Sequence, residues 1–250
     1  MTAIFYEIIK PIEHQLKSVE QLLENDMYLK AGHISNFIQL DLDIWDRYMH
    51  PAVLLLSATM FRCPQPLIVA MACVMQLIYI ATGIHYRKYG QKSGISILVG
   101  DYLYTKSYSY LCNHSLNKWL PSISWTICQI HEAGVRKKEL ENMNRLDREA
   151  YLEIVRKQSG LLLGECSAFG AVASGADTEV QNAARSLGID LGTAWALTRD
   201  GHFLPVAERL LWRAESQLAL LPGGPEKEIF KDLIQLFHHK LKMELKEAVG

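Results

Sequence analysis

Leu67-Ile-Val-Ala-Met-Ala-Cys-Val-Met-Gln-Leu-Ile-Tyr-Ile-Ala-Thr-Gly-Ile84 runs without a charged residue. A membrane-crossing helix needs roughly 17–25 apolar residues, so this segment sits at the lower limit for a bilayer span. Gln76, Tyr79 and Thr82 interrupt it, and the charged segment that follows leads to no second span. By the hydropathy rule a single interrupted run is a weak membrane signal. A helix that is apolar all round is instead one buried on every side. Such a helix needs other helices to surround it, and the rest of the chain supplies them.

The periodicity is helical almost throughout. Phe5, Ile8, Ile9, Ile12, Leu16, Val19, Leu22 and Leu23 recur at i, i+3, i+4 spacing as far as Glu24. Asp26 is then placed to cap a second helix running to about Leu42, and Pro51 to open a third that continues over Ala52–Met60. Pro64 and Pro66 break the chain before the charge-free helix, and the basic, Gly-containing segment 86–94 reads as a loop. Helices follow over 95–116, from Pro121 into the charged stretch 136–145, over 148–174 with Asp147 as N-cap, and over 180–198 with Asp177 as cap. Pro205 opens one reaching Leu221, and the Pro-Gly-Gly-Pro turn at 222–225 precedes a last helix ending near Ala248. No segment alternates with period two, so no sheet is expected. The fold class is all-α: one domain, residues 1–250, of about ten helices.

Apolar residues make up 49 % of the 250, enough for a sizeable core. The net charge of −1 argues against binding nucleic acid by electrostatic attraction. Five cysteines, none in a C-x-x-C pair, make no disulfide framework and fit a reduced, cytoplasmic setting. Cys73, Cys128 and Cys166 lie in apolar helical contexts and read as core. Residues 1–12 carry Glu7 and no basic n-region, which argues against a secretory signal.

Several local patterns carry a family resemblance. Met75-Gln-Leu-Ile-Tyr-Ile-Ala-Thr-Gly-Ile-His85 and Ile97-Leu-Val-Gly-Asp-Tyr-Leu-Tyr-Thr-Lys-Ser107 are similar to segments of the trans-polyprenyl diphosphate synthase family. So are Val19 to Glu24, Asp46 to Pro51 (where the family has Gly-Lys-Arg-x-Arg-Pro), Tyr151 to Ser159, Ala184 to Ile189 and Leu204-Pro205. The resemblance implies a helical isoprenoid-synthase fold. It also implies a reaction in which an allylic diphosphate loses its diphosphate and the cation formed is attacked by isopentenyl diphosphate. Two aspartate-rich motifs on facing helices hold Mg²⁺, which clamps the leaving diphosphate.

The departures fall on the chemistry. The family's His at the place of His85 is followed by Asp-Asp-x-x-Asp; here Tyr86, Arg87, Lys88, Tyr89 and Gly90 follow. At the second motif Gln has become Ala196, and the three aspartate places hold Arg199, Asp200 and Phe203. Mg²⁺ needs hard oxygen ligands, so no cofactor is expected and Mg²⁺ is not expected to bind. The Lys and two Arg that hold isopentenyl diphosphate are replaced by Arg47, Tyr48 and His50, and the Lys-Thr pair at the allylic diphosphate by Gln158-Ser159.

No catalytic and no metal-binding residue is therefore assigned. Arg47, His50, His85, Gln158 and Ser159 are remnant substrate-binding candidates. A lone His such as His85 on an apolar helix is more often a satisfied core group, and Asp101 a packing and hydrogen-bonding residue. Asp190 reads as a buried polar contact, and Asp200 as a helix-end residue. Arg87, Lys88 and Lys92 form a small cationic cluster on a solvated loop. Some family members are heteromers in which one subunit lacks the aspartate motifs yet is needed for activity. The resemblance thus implies a non-catalytic subunit paired with a catalytic polyprenyl diphosphate synthase subunit, or with itself as a homodimer. The rival reading is a stand-alone protein that binds a prenyl chain; an active prenyltransferase with atypical ligands is a third. Tyr102, Tyr104, Tyr108 and Tyr110, with Ile97 and Leu98, are expected at a subunit contact.

Overall fold

The computed structural model describes residues 2–30, 32–86 and 94–247. Its α-helical segments are α1 (Thr2–Ile9), α2 (Glu13–Asp26), α3 (Ile44–Met60), α4 (Gln65–His85), α5 (Gly94–Asn113), α6 (Leu120–Asn142), α7 (Arg148–Val155), α8 (Leu161–Ser174), α9 (Thr178–Asp200), α10 (Leu204–Ala219) and α11 (Pro225–Glu247). α1 runs into α2 through a 3₁₀ turn at Lys10–Ile12, and α7 into α8 through a π turn at Arg156–Gly160. Eleven segments with two such joints leave nine continuous helices among the described residues, one fewer than expected. The fold is an all-α bundle.

Two expectations fail between residues 26 and 51. The second helix to Leu42 does not form. Instead Tyr28–Leu29 pairs antiparallel with Gly32–His33, and a 3₁₀ turn follows at Ile34–Asn36. Gly32 has φ +123°, a backbone conformation that no helix contains. Asp26 caps nothing: it ends α2, buried, with its carboxylate 2.8 Å from Lys106 Nζ of α5. Ile34 and Ile38 of this segment pack with Leu77, Ile80 and Leu103 on α4 and α5, so tertiary burial holds an irregular stretch that its own periodicity read as helix. Nor does α3 begin at Pro51. It begins at Ile44, where the Asp43 carboxylate accepts from the Asp46 N–H at 2.8 Å, and Pro51 lies inside the helix. The caps expected at Asp147 and Asp177 are present, each carboxylate accepting an N–H at 2.9 Å.

Among the described residues α4 is the one helix long and apolar enough to cross a membrane, and 72 % of its apolar window is buried inside the bundle. It packs on α3 and α5 as a core helix. α8 and α9 cross closely, because a Cβ at Gly188 would lie 2.3 Å from the Leu163 carbonyl oxygen. Cys73 and Cys166 are buried as expected. Cys128 is exposed, because it shares the outer face of α6 with Trp125, Glu132 and Val135.

Candidate functional site

A cavity of about 500 Å³ opens between α3, α4, α6, the π turn with α8, and α9. That volume lies within the usual range of small-molecule pockets, about 300–1,000 Å³. Met49, Ile130, Leu162, Leu163, Gly192 and Ala196 give it apolar walls. Trp45 and Trp195 face each other with ring centroids 4.3 Å apart, backed by Phe5 on Trp45 and Phe237 on Trp195. Lys240 Nζ lies 5.0 Å from the centroid of Trp195.

The polar end is built around a buried ion pair. Asp46 is 3 % exposed, and its Oδ1 accepts from Arg199 Nη1 at 3.0 Å and from the Tyr79 hydroxyl at 2.6 Å. Gln76 donates its amide N–H to the Asp46 carbonyl at 2.7 Å. Arg199 Nη2 is 3.7 Å from Asp43. Each partner suits its helix end: Asp46 stands in the first turn of α3 and Arg199 in the last turn of α9. Burial works against the Arg199 charge, but Asp46 and Asp43 outweigh it and move the guanidinium pKa up. On the resemblance read from the sequence, Arg199 stands at the expected place of the first aspartate of the second motif, and Asp46 at that of a glycine.

The neighbouring carboxylates are also engaged. Asp200 Oδ2 accepts from the Tyr151 hydroxyl at 3.1 Å, and burial together with Asp200 pushes that phenol up to about 12. Asp190, 1 % exposed, takes both Nε (2.5 Å) and Nη2 of Arg213, so it ties α9 to α10. No group of three or more His, Cys, Asp and Glu side chains among the described residues is placed to hold a metal ion. Among the described residues the carboxylate on the cavity wall is Asp200, held by Tyr151, and the adjoining Asp46 is bonded to a guanidinium; this donor set does not fit Mg²⁺.

On the α4 side, Tyr86 fills a notch in α6. A Cβ at Gly134 would lie 2.1 Å from its hydroxyl oxygen. That hydroxyl donates to the Ile130 carbonyl at 3.0 Å and lies 3.2 Å from His131 Nδ1. His131 Nε2 is 2.9 Å from the Tyr104 hydroxyl, itself 2.7 Å from Thr82 Oγ1. Burial, and then His85, lower the His131 pKa; burial raises the Tyr86 and Tyr104 phenols.

Of the five sequence candidates, His50, Gln158 and Ser159 line the cavity, the last two on the π turn. A π turn inside a helix commonly marks a functional position. His50 is buried with its ring 4.2 Å from that of Tyr79. Arg47 is exposed and donates Nε–H to the Leu42 carbonyl at 3.1 Å, away from the lining residues. His85 turns toward α5: its Nε2 is 3.2 Å from Asp101, its ring stacks on Tyr104 at 5.6 Å, and Gly100 leaves it room. Tyr48 donates to Glu20 at 2.5 Å. The cationic cluster Arg87, Lys88 and Lys92, with Tyr89 and Gly90, lies outside the described residues.

Sequence reasoning missed Asp46, Tyr79, Trp45, Gly134, His131, Lys137 and Lys138. Asp46 opens a quoted motif, so its replacement of Gly was legible. Its pairing with Arg199, 153 positions away, was not.

The polyprenyl synthetase family model matches residues 81–201. The chain is 27 % identical over 110 residues to a geranylfarnesyl diphosphate synthase of Natronomonas pharaonis, covering 42 % of this chain and 32 % of that protein. It is 25 % identical over 190 residues to a geranylgeranyl diphosphate synthase of Methanosarcina mazei, covering 68 % of this chain and 58 % of that one. The match thus spans about a third and somewhat over half of the two curated relatives. The fold matches a polyprenyl synthase from Roseobacter denitrificans with TM-score 0.80 at 18 % identity, over 95 % of this chain and 99 % of that one. It also matches a mint deletion mutant of heterotetrameric geranyl pyrophosphate synthase with TM-score 0.71 at 17 % identity, over 90 % and 98 %. Over residues 81–201 the chain is thus similar to the polyprenyl synthetase family, and its all-α bundle is the fold of the polyprenyl synthase structures.

Proposed function

We propose that this chain is the non-catalytic subunit of a heteromeric polyprenyl diphosphate synthase, a cytoplasmic single-domain protein that influences product chain length in the synthesis of a quinone side chain. The observation that carries the reading is the Arg199–Asp46 pair. Metal-assisted departure of diphosphate needs carboxylates converging on a cation. Here the equivalent place holds a guanidinium, already neutralised from α3. A similar structure from mint belongs to a heterotetrameric synthase, which supports a division of labour between unlike subunits. The outer faces of α5 and α6 support association. Ile97 and Leu98 are exposed on α5, and Trp125 and Val135 on α6. We read these exposed apolar side chains as the surface for a partner subunit.

The test is co-expression with a complete Asp-Asp-x-x-Asp homologue from the same genome, followed by size-exclusion chromatography and an assay with Mg²⁺, isopentenyl diphosphate and an allylic diphosphate. The expected result is a complex that is active, and a purified single chain that is not. Robust turnover by the single chain, with contaminating synthase excluded, sinks the proposal. The open cavity favours one rival, a stand-alone protein that binds a prenyl chain, which predicts no complex with any such homologue.

A further inference from the structure

The short helix α7 lies between two irregular joints. Before it, Asn144 has φ +52° in the turn from α6. After it, the π turn at Arg156–Gly160 leads into α8. Of its eight residues only Ala150, Ile154 and Val155 are buried. The π turn itself is fixed to α9 by backbone. A Cβ at Gly192 would lie 2.4 Å from the Ser159 carbonyl oxygen, and one at Gly160 would lie 2.6 Å from Thr193 Oγ1.

The attachment of α7 to the end of α9 runs through side chains instead. The Tyr151 hydroxyl donates to Asp200 at 3.1 Å, and the Tyr151 ring lies 5.4 Å from that of Phe203. The Arg148 guanidinium stands 5.5 Å from the same Phe203 ring. Glu153 faces Arg136 of α6 at 3.7 Å, a partly exposed pair of the kind that holds little in water. Phe203 has φ +53°, a left-handed conformation that disfavours a residue with a Cβ. Such backbone persists where its surroundings hold it, and here Tyr151 and Arg148 of α7 hold the ring. These contacts meet the cavity: Asp200, Gln158 and Ser159 all stand on its wall. Relaxing a π turn by one residue into α-helix rotates the flanking helices against each other by about 100°. With the turn and α8 set against α9, the helix free to rotate is α7. We propose that α7 is a latched arm of the cavity: the Tyr151 hydroxyl holds it on Asp200, and its release about the π turn opens the wall between Asp200 and Gln158–Ser159. The device rests on packing and one hydroxyl, so it is the same whether or not the chain catalyses.

Hydrogen exchange of the full chain, read by mass spectrometry, tests the arm. In the unaltered chain, peptides from 148–157 should exchange about tenfold or more faster than those from α8, because a local opening takes less free energy than global unfolding. Tyr151→Phe deletes the hydroxyl and keeps the ring. It should speed exchange in 148–157 about fivefold, equivalent to about 1 kcal/mol, the ordinary worth of one hydrogen bond, and leave α8 unchanged. In an Asp200→Ala background the same change should add nothing. A thiol placed on the cavity wall by Ala196→Cys reports the opening, since its labelling by a bulky maleimide follows the open population. Tyr151→Phe should raise that labelling rate by about the same fivefold. If the thiol variant does not fold, the exchange comparison decides; if Tyr151→Phe does not fold, the contrast between 148–157 and α8 in the unaltered chain decides. Exchange in 148–157 no faster than in α8, equal speeding of both segments by Tyr151→Phe, or a faster arm with unchanged labelling overturns the proposal.

Discussion

Replacing Arg199 by alanine would take from the buried Asp46 carboxylate the guanidinium that stands 3.0 Å from it. Removing one partner of a buried pair costs about 3 kcal/mol or more. We expect a loss of that order in urea unfolding. The double variant Asp46→Asn with Arg199→Met should lose less than the sum of the two single changes, because residues in contact are not additive. Gly134→Ala would push a methyl group into the Tyr86 phenol, and overpacking of this kind costs about 1–3 kcal/mol. In a Tyr86→Ala background the same change should cost much less, which the same unfolding curves would show. His131 makes stability depend on pH. Its folded pKa lies below the ordinary value of about 6.5, so the unfolded chain takes up the proton first as pH falls. The contribution is therefore present above about pH 6.5 and is lost as pH drops through the folded value. The groups facing it are Tyr86, Tyr104 and His85, with Asp101 behind His85. His238 is lowered in the same direction by burial. The informative measurement is thus the difference between His131→Gln and the unaltered chain in Tm between pH 7 and 5, where the variant should give the flatter curve.

Helices α8 and α9 approach until backbone meets backbone. At Gly188 an added Cβ would meet the Leu163 carbonyl, which cannot swing away as a side chain can. Gly188→Ala should therefore cost more than the roughly 1 kcal/mol by which alanine ordinarily favours a helix over glycine, and so reverse the usual sign. Thermal unfolding of the variant would show a lowered Tm where propensity alone predicts a rise. The tyrosines of α5 were expected at a subunit contact, but the structure turns several inward. Tyr104 bonds Thr82 and His131, and Tyr102 donates to the Asp26 carbonyl. A charge at Tyr104 would damage the fold before it reported on association. Exposed apolar residues of α5 and α6 include Ile97, Leu98, Trp125 and Val135.

Association belongs to the whole bundle. Leu98→Glu or Trp125→Glu should weaken self-association, or exchange with a catalytic homologue, by about tenfold or more, since a charge buried in an interface without a partner costs several kcal/mol. Neither side chain is in the core, so Tm should stay close to that of the unaltered chain. Sedimentation velocity across a concentration series would measure the first effect. A monomer at every concentration in the unaltered chain would remove the homodimer from consideration.

The all-α class, most helix starts and the identity of α4 as a core helix were legible from residues near one another in the chain. Caps at Asp147 and Asp177, proline breaks and 3.6-residue periodicity are local, and local signals survive without a partner. The departures from an aspartate pattern at 86–90 and 199–203 are what the resemblance implies, and they too were read from local sequence. What the tertiary structure decided is everything that depends on two distant residues meeting. Asp26 ends a helix because Lys106 draws its carboxylate inward. The stretch after it stays irregular because Ile34 and Ile38 are buried against α4 and α5. His85 leaves the site because Asp101 and Tyr104 hold it elsewhere. Arg199, read alone, was a vanished aspartate; set against Asp46 it is half of a buried ion pair. A charge's meaning depends on its solvent exposure and its nearest opposite charge, and both are properties of the folded chain.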